Sequence, residues 1–146
     1  MIKKQKSLSL KVLFNASVVL SGINSPKGGS AYALNLAKDG KINAYISDII
    51  LDEILRHAAK IGYSKKDLVK ITSDIFEKVS IAPDVKTVDK YKDIVIDEGD
   101  CHVLASAEHL GVDILLTLDK KHLLVLKDRF KKLKIFTPAE LIEYLG

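Results

Sequence analysis

Any chemistry in this 146-residue chain has to come from carboxylates and small polar side chains, because the other common arrangements are missing. Cys101 is the lone cysteine, which excludes an intramolecular disulfide or a Cys-based zinc site and makes a buried, inert thiol the expected role. His57, His102, His109 and His122 share no metal-ligand spacing strong enough to nominate a site and read as surface or partly packed residues, with His102 and His122 of modest interest. Neither a P-loop nor a dinucleotide fingerprint occurs, so a phosphate-binding regulator of that kind ranks low. The remaining candidates are Asn15-Ala16-Ser17 with Ser21-Gly22, then Glu53, the acidic run Asp97 to Asp100, and Thr117-Leu118-Asp119. Gathered in one place, these would offer hard oxygen donors. Taken singly, each has a structural use: Asp119 as a helix cap, Asp100 beside a helix N-terminus, and Glu53 on the edge of an apolar face.

The elements that must position these residues follow from patterning. Lys11 to Leu20 contains Val12-Leu13-Phe14 and Val18-Val19-Leu20, which read as a buried strand interrupted by Asn15 and Ser17 and ending near Ser21-Gly22. Turn chemistry fills Asn24 to Ser30, and a helix is predicted from Ala31 to Lys38. Ala44-Tyr45-Ile46 predicts a short strand, with Ser47 capping a helix from Asp48 to Lys60. Ser64 opens a further helix to about Lys78, then a strand runs from Val79 to Ala82 and ends at Pro83. Lys86 to Ile94 reads as weakly patterned helix, and Gly99 to Leu110 as a clear helical stripe. Ile114 to Thr117 predicts a strand, Lys120 to Phe130 mostly helix, and Lys134-Ile135-Phe136 a last strand. Thr137-Pro138-Ala139-Glu140 combines an N-cap, a first-turn proline and a capping box, starting a helix to Leu145.

Strands alternating with helices imply right-handed crossovers and a three-layer α/β/α architecture with a central, mostly parallel sheet. The chain reads as one domain over residues 1–146, with residues 1–10 a flexible N-terminal extension. Ligands in open sheets of this kind bind beyond the carboxyl ends of the strands, which is where the polar candidates fall. The balance of 47% apolar and 29% charged residues is that of a soluble globular chain. Its apolar runs are too short to span a bilayer and no signal-peptide core is evident, so the expected location is the cytoplasm. A net charge of +4 suits a polyanionic partner, although the cluster from Lys127 to Lys134 also reads as a solvated face.

The ordered set of motifs resembles the PIN-domain family. Asn15-Ala16-Ser17-Val18 followed by Ser21-Gly22 stands where the family usually has Asp-x-Asn-Val and a Ser-Gly pair, so both polar positions of the strand motif differ. Ser47 to Glu53 looks like the family's helix carrying an acidic residue. Asp97-Glu98-Gly99-Asp100 precedes a helix with Leu104-Ala105-Ser106-Ala107, and Leu115 to Leu124 resembles the Thr-Gly-Asp segment with Leu118 in place of Gly. Phe136 to Glu140 matches the closing strand-helix signature. The resemblance spans about residues 11 to 145. The loop from Asn24 to Ser30 is similar to that of the family's toxin branch in toxin-antitoxin systems.

That resemblance implies a metal-dependent endoribonuclease using Mg2+ or Mn2+, since carboxylates gathered from distant segments repel one another unless a cation neutralises them. It implies Glu53, Asp100 and Asp119 as metal ligands, Asp97 as a secondary acid, and Ser17, Ser21 and Thr117 as groups that orient water, carboxylate or phosphate. Asn15 occupies the first acidic position with a carbonyl oxygen but no charge, which weakens metal binding and catalysis. The implied partners are RNA, an antitoxin protein and a second copy of the chain, with Lys27, Arg56, Lys120 and Lys121 as candidates for phosphate contact. The competing reading is a catalytically inactive PIN-like domain that binds RNA or protein.

Overall fold

The computed structural model describes residues 10–76, 79–81, 85–94 and 98–146. The expected flexible extension falls, except for Leu10, outside the described residues, as do the strand end at Pro83 and the candidate acid Asp97.

Val12, Leu13 and Phe14 expose no surface, so the strand that carries them must have neighbours on both edges and layers on both faces. This is β1 (Lys11–Phe14), paired in parallel with β2 (Asn43–Ser47) on one side and β4 (Ile114–Leu116) on the other. β3 (Val79–Ser80) and β5 (Lys134–Phe136) complete an all-parallel sheet of order β3-β2-β1-β4-β5. The register sets Val12 against Ala44 and Ile114, and Leu13 against Tyr45 and Leu115. Full burial of a side chain such as Leu13 or Phe14 contributes roughly 1.5–3 kcal/mol. Phe14 also meets Phe76 edge to face, with ring centroids 5.3 Å apart.

Helices α1 (Ala16–Asn24) and α2 (Gly29–Lys38) connect β1 to β2, and α3 (Asp48–Arg56) and α4 (Lys65–Ile75) connect β2 to β3. The next crossing, through α5 (Val85–Asp89) and α6 (Glu98–Leu110), passes back over β1 to reach β4. Right-handed crossings that progress in opposite directions place their helices on opposite faces, which gives the three layers. The last helix, α7 (Pro138–Leu145), packs against α2. The reversal of direction makes the carboxyl ends of β1 and β4 the topological switch point, where such sheets bind ligands.

Two elements differ from their sequence patterns. The strand predicted to Leu20 stops at Phe14, and Val18-Val19-Leu20 lies on α1. The physical reason is Asn15: its backbone is extended, its side chain accepts a hydrogen bond from the Ser17 N–H, and it thereby starts a helix that buries Ala16, Val18, Val19 and Gly22 at helical spacing. Packing overrides the strand preference of two adjacent valines. The helix predicted from Lys120 to Phe130 is instead a series of turns with one 3-10 turn, Leu124–Leu126. Leu123 and Leu126 enter the core while Val125 is 66% exposed, a spacing of three that suits the tighter helix. The helix from Asp48 also ends early, at Arg56, before a 3-10 turn closed by Gly62 at φ 77°.

Gly22 permits the close approach of α1 and α2. A Cβ there would lie 2.5 Å from Leu34 Cδ1 and 3.0 Å from the Ser30 carbonyl carbon and oxygen, and the Ser30 contacts are with backbone that cannot rotate away. The capping box expected at α7 is complete: the Thr137 hydroxyl accepts from the Glu140 N–H at 3.2 Å and Glu140 Oε1 accepts from the Thr137 N–H at 3.0 Å. That backbone hydrogen bond, opposed by partial burial and helped by the Thr137 side chain and Lys127, holds the Glu140 carboxyl below its ordinary pKa. A depressed folded-state pKa adds stability above the ordinary glutamate range and loses it as pH falls through the folded-state value. Urea unfolding of Glu140→Gln and the unsubstituted chain should therefore show a stability gap that is full at neutral pH and closes on acidification. Gly22→Val should destabilise by about 1–3 kcal/mol through overpacking, measured in the same unfolding series.

Candidate functional site

The site is built outward from the β1–α1 junction. The Asn15 N–H continues the sheet by donating to the Leu116 carbonyl of β4 at 2.9 Å, and its side-chain Oδ1 accepts from Ser17 N–H at 3.1 Å. One residue thus closes a strand and opens a helix. The next hydrogen bond ties α1 to the loop after β4: the Leu118 N–H donates to Ser17 Oγ at 3.1 Å, across 101 residues of chain. Ser17 acts here as a brace between two segments of the switch point.

Thr117 is fully buried and its Oγ1 accepts from the Asp119 N–H at 3.1 Å. The Asp119 side chain folds back on the following turn, with Oδ1 accepting from the His122 N–H at 3.0 Å. This turn carries the imidazole to the carboxylates. His122 Nδ1 donates to Asp119 Oδ2 at 3.2 Å and lies 3.9 Å from Asp100 Oδ2, the latter contributed by α6. One ligand atom from each of Asp100, Asp119 and His122 lies within 4.8 Å of the others. Asp100 is the most enclosed of the three side chains and His122 the most exposed.

A cleft of about 320 Å3 opens over this group, lined by Asn15, Ser17, Glu53, His57, Asp100 and Asp119 among others. The structure therefore brings Asn15, Ser17, Glu53, Asp100 and Asp119 to one concavity. Glu53 lines its wall without joining the tight group. Thr117 stays beneath the surface, and Ser21 lies a turn farther along α1 and does not line the cleft. His57 Nδ1 donates to the Glu53 carbonyl at 2.8 Å, which assigns the hydrogen to Nδ1 and leaves Nε2 for other contacts. Arg56 lies on the outer side of α3, paired with Asp52 at 3.2 Å, and Lys120 and Lys121 are exposed on the turn before His122. A larger cavity, about 610 Å3, lies at the opposite, amino ends of β4 and β5 beside Tyr91, Arg129 and Phe130, away from the acidic group.

Spacing in the sequence did not single out His57, which lines the cleft, or His122, which stands beside its two aspartates. His122 stands three residues beyond Asp119, and only the side-chain-to-backbone turn at Asp119 folds it toward Asp100, which is distant in the chain. An Asp followed three residues later by His after a buried strand was the available signal, but it has many bland explanations. The donor set fits a divalent cation: two carboxylates and an imidazole nitrogen converge, and like charges at such close range are costly without a counter-charge.

A parallel α/β sheet with an acidic cleft at its switch point defines the class of protein, and comparison supplies the family. The PIN domain family model matches residues 11–121, and the chain belongs to that family. No curated protein matches it. Among solved structures, it resembles PAE2754 from Pyrobaculum aerophilum, with a TM-score of 0.61 and 19% identity over 95% of this chain and 97% of that one. It also resembles VapBC2 from Rickettsia felis bound to a DNA fragment from its promoter, with a TM-score of 0.59 and 16% identity over 88% of this chain and 98% of that one. A third is FitAB bound to the IR36 DNA fragment, with a TM-score of 0.59 and 17% identity over 87% and 94% of the two chains. At such identities the likeness is one of fold.

The hydrogen bond beneath the site generates a direct expectation. Thr117→Val keeps the buried shape but leaves the Asp119 N–H without its acceptor, and should destabilise by about 1–3 kcal/mol with faster amide hydrogen exchange at Asp119. Unchanged exchange there would show that Thr117 does not hold the turn.

Proposed function

We propose that this single-domain chain is a metal-dependent endoribonuclease of PIN type, working in the cytoplasm and attenuated at Asn15. The observation that carries the reading is the convergence of Asp100 and Asp119, from α6 and the loop after β4, in a cleft that Asn15 and Glu53 also line. Asp100 and Asp119 would hold a Mg2+ or Mn2+ ion directly, Glu53 through a water from the facing wall, and Asn15 weakly through its carbonyl oxygen. Asp97 is a secondary acidic candidate. Once bound, such an ion neutralises the carboxylates, makes a coordinated water a better nucleophile and offsets charge developing on a phosphate.

The rest of the reaction falls to the protein. Water oxygen adds to phosphorus, the bond to the leaving ribose oxygen breaks, the proton lost by the water passes to a cleft carboxylate or to solvent, and the leaving oxygen takes a proton from solvent to become a hydroxyl. No covalent enzyme intermediate is required. Ser17 keeps the turn after β4 against α1, and Thr117 keeps Asp119 facing the cleft, so both serve catalysis by positioning. Lys120 and Lys121, exposed beside the acidic group, together with Arg56 and Lys27, supply positive charge to an incoming RNA backbone. The family's toxin branch and the toxin-antitoxin complexes among its structural neighbours support an antitoxin protein as a restraining partner. A homodimer completes the proposed assembly.

One observation favours a second reading, an inactive RNA- or protein-binding domain: the side-chain oxygen of Asn15 is already used to cap α1, and the residue brings no charge. Activity decides between them. Purified protein with Mn2+ or Mg2+ should cleave RNA slowly, Asp100→Asn should abolish the cleavage, and Asn15→Asp should raise it about tenfold or more, the order expected of a group that tunes a metal site. Asp at this position caps α1 as well as Asn does, so Asn15→Asp leaves the fold unchanged. RNA that stays intact with every variant, while still binding in excess chelator, would reject the nuclease.

A further inference from the structure

We infer that His122 is a direct nitrogen ligand of the metal site, a third donor beside Asp100 and Asp119 where Asn15 brings no charge, and that it turns the site's preference from Mg2+ toward Mn2+ and later first-row ions. The inference rests on the metal-binding part of the proposed function but does not require that RNA be cleaved. The donor arrangement is the first ground. His122 Nδ1 donates a hydrogen bond to Asp119 Oδ2 at 3.2 Å and lies 3.9 Å from Asp100 Oδ2, and one ligand atom from each of the three residues falls within 4.8 Å of the others; the proton held in that hydrogen bond is the one a bound metal ion would displace. Glu53, the third carboxylate of the cleft, does not belong to that group.

The second ground is that the imidazole is delivered by structure. Asp119 Oδ1 accepts the His122 N–H at 3.0 Å, and the Asp119 carbonyl accepts from Leu124 at 2.9 Å. Buried Leu123 anchors the same turn in the core. The backbone on both sides of His122 is therefore tied down, and its partly exposed ring is held against the Asp119 carboxylate by the Nδ1 hydrogen bond.

The third ground is chemical. Carboxylate and carbonyl oxygens suit Mg2+, whereas imidazole nitrogen suits transition ions, so exchanging a carboxylate for an imidazole changes which ion gains most. The exchange also changes the charge of the site. Two carboxylates and a neutral imidazole leave a divalent ion balanced, and Asn15, with its oxygen engaged at the helix cap, adds none.

The test is metal binding by the full chain, followed by titration calorimetry with MnCl2 or MgCl2 alone and by the visible absorption of added Co2+, which reports nitrogen ligation without any turnover. The unsubstituted chain should bind Mn2+ more tightly than Mg2+ and give a Co2+ spectrum that shifts in His122→Ala. Mn2+ affinity in His122→Ala should fall about tenfold or more, with Mg2+ affinity changed far less. Asn15→Asp should recover Mg2+ affinity, and in the doubly substituted chain the Mn2+ preference should disappear. Mn2+ affinity and Co2+ absorption unaltered by His122→Ala would overturn the inference, even where RNA cleavage still proceeds. Conversely, a His122-dependent Mn2+ site in a chain that cleaves no RNA sustains the inference and removes the nuclease. Thermal melts of both variants separate loss of a ligand from loss of fold.

Discussion

The rest of the structure depends on the junction at Asn15. Within one residue the chain must satisfy the last hydrogen bond of the central strand and the first free N–H groups of the helix that follows, and Asn15 does both. A longer strand would carry Val18 and Val19 past the edge of the sheet and leave α1 without its buried face. Because the junction is short, the N-terminal turn of α1 lies beside the loop after β4, close enough for Ser17 to accept a hydrogen bond from Leu118. The cleft is the space that this contact leaves open.

The same junction accepts either Asn or Asp with little consequence for the fold. Asn and Asp cap helices about equally well, so the exchange leaves the local geometry intact and changes only the charge. Stability and the charge of the cleft are thereby separable at this position. Around it, positioning is the work of buried groups: Thr117 beneath Asp119, Ser47 capping the helix that presents Glu53, and Gly22 letting α2 approach α1. These contacts are hydrogen bonds and close packing within a dry interior, where leaving a partner unsatisfied costs more than the bond itself contributes.

The family match and the acidic cleft concern different properties. Membership fixes the architecture, while the chemistry now possible depends on which donors reach the cleft in this chain. Here they are two aspartates with His122 beside them, a glutamate, an uncharged asparagine and His57. No described helix is long and apolar enough to cross a membrane.

Local signals in the sequence determined most of the architecture. Alternation of strands and helices, the cap residues Ser47, Ser64 and Thr137, and the glycine stops are short-range effects, and they appear where their chemistry requires. Motif order was sufficient to recognise the family and to nominate Asn15, Glu53, Asp100 and Asp119. Tertiary structure alone decided that Val18 to Leu20 is helical, because a pair of valines fits either element until a packing partner is present. It alone decided that the segment after Asp119 turns instead of forming a regular helix, because burial of Leu123 and Leu126 selects a spacing of three. It also brought His122 to Asp100, a proximity set by where α6 ends up relative to β4, which no spacing along the chain encodes.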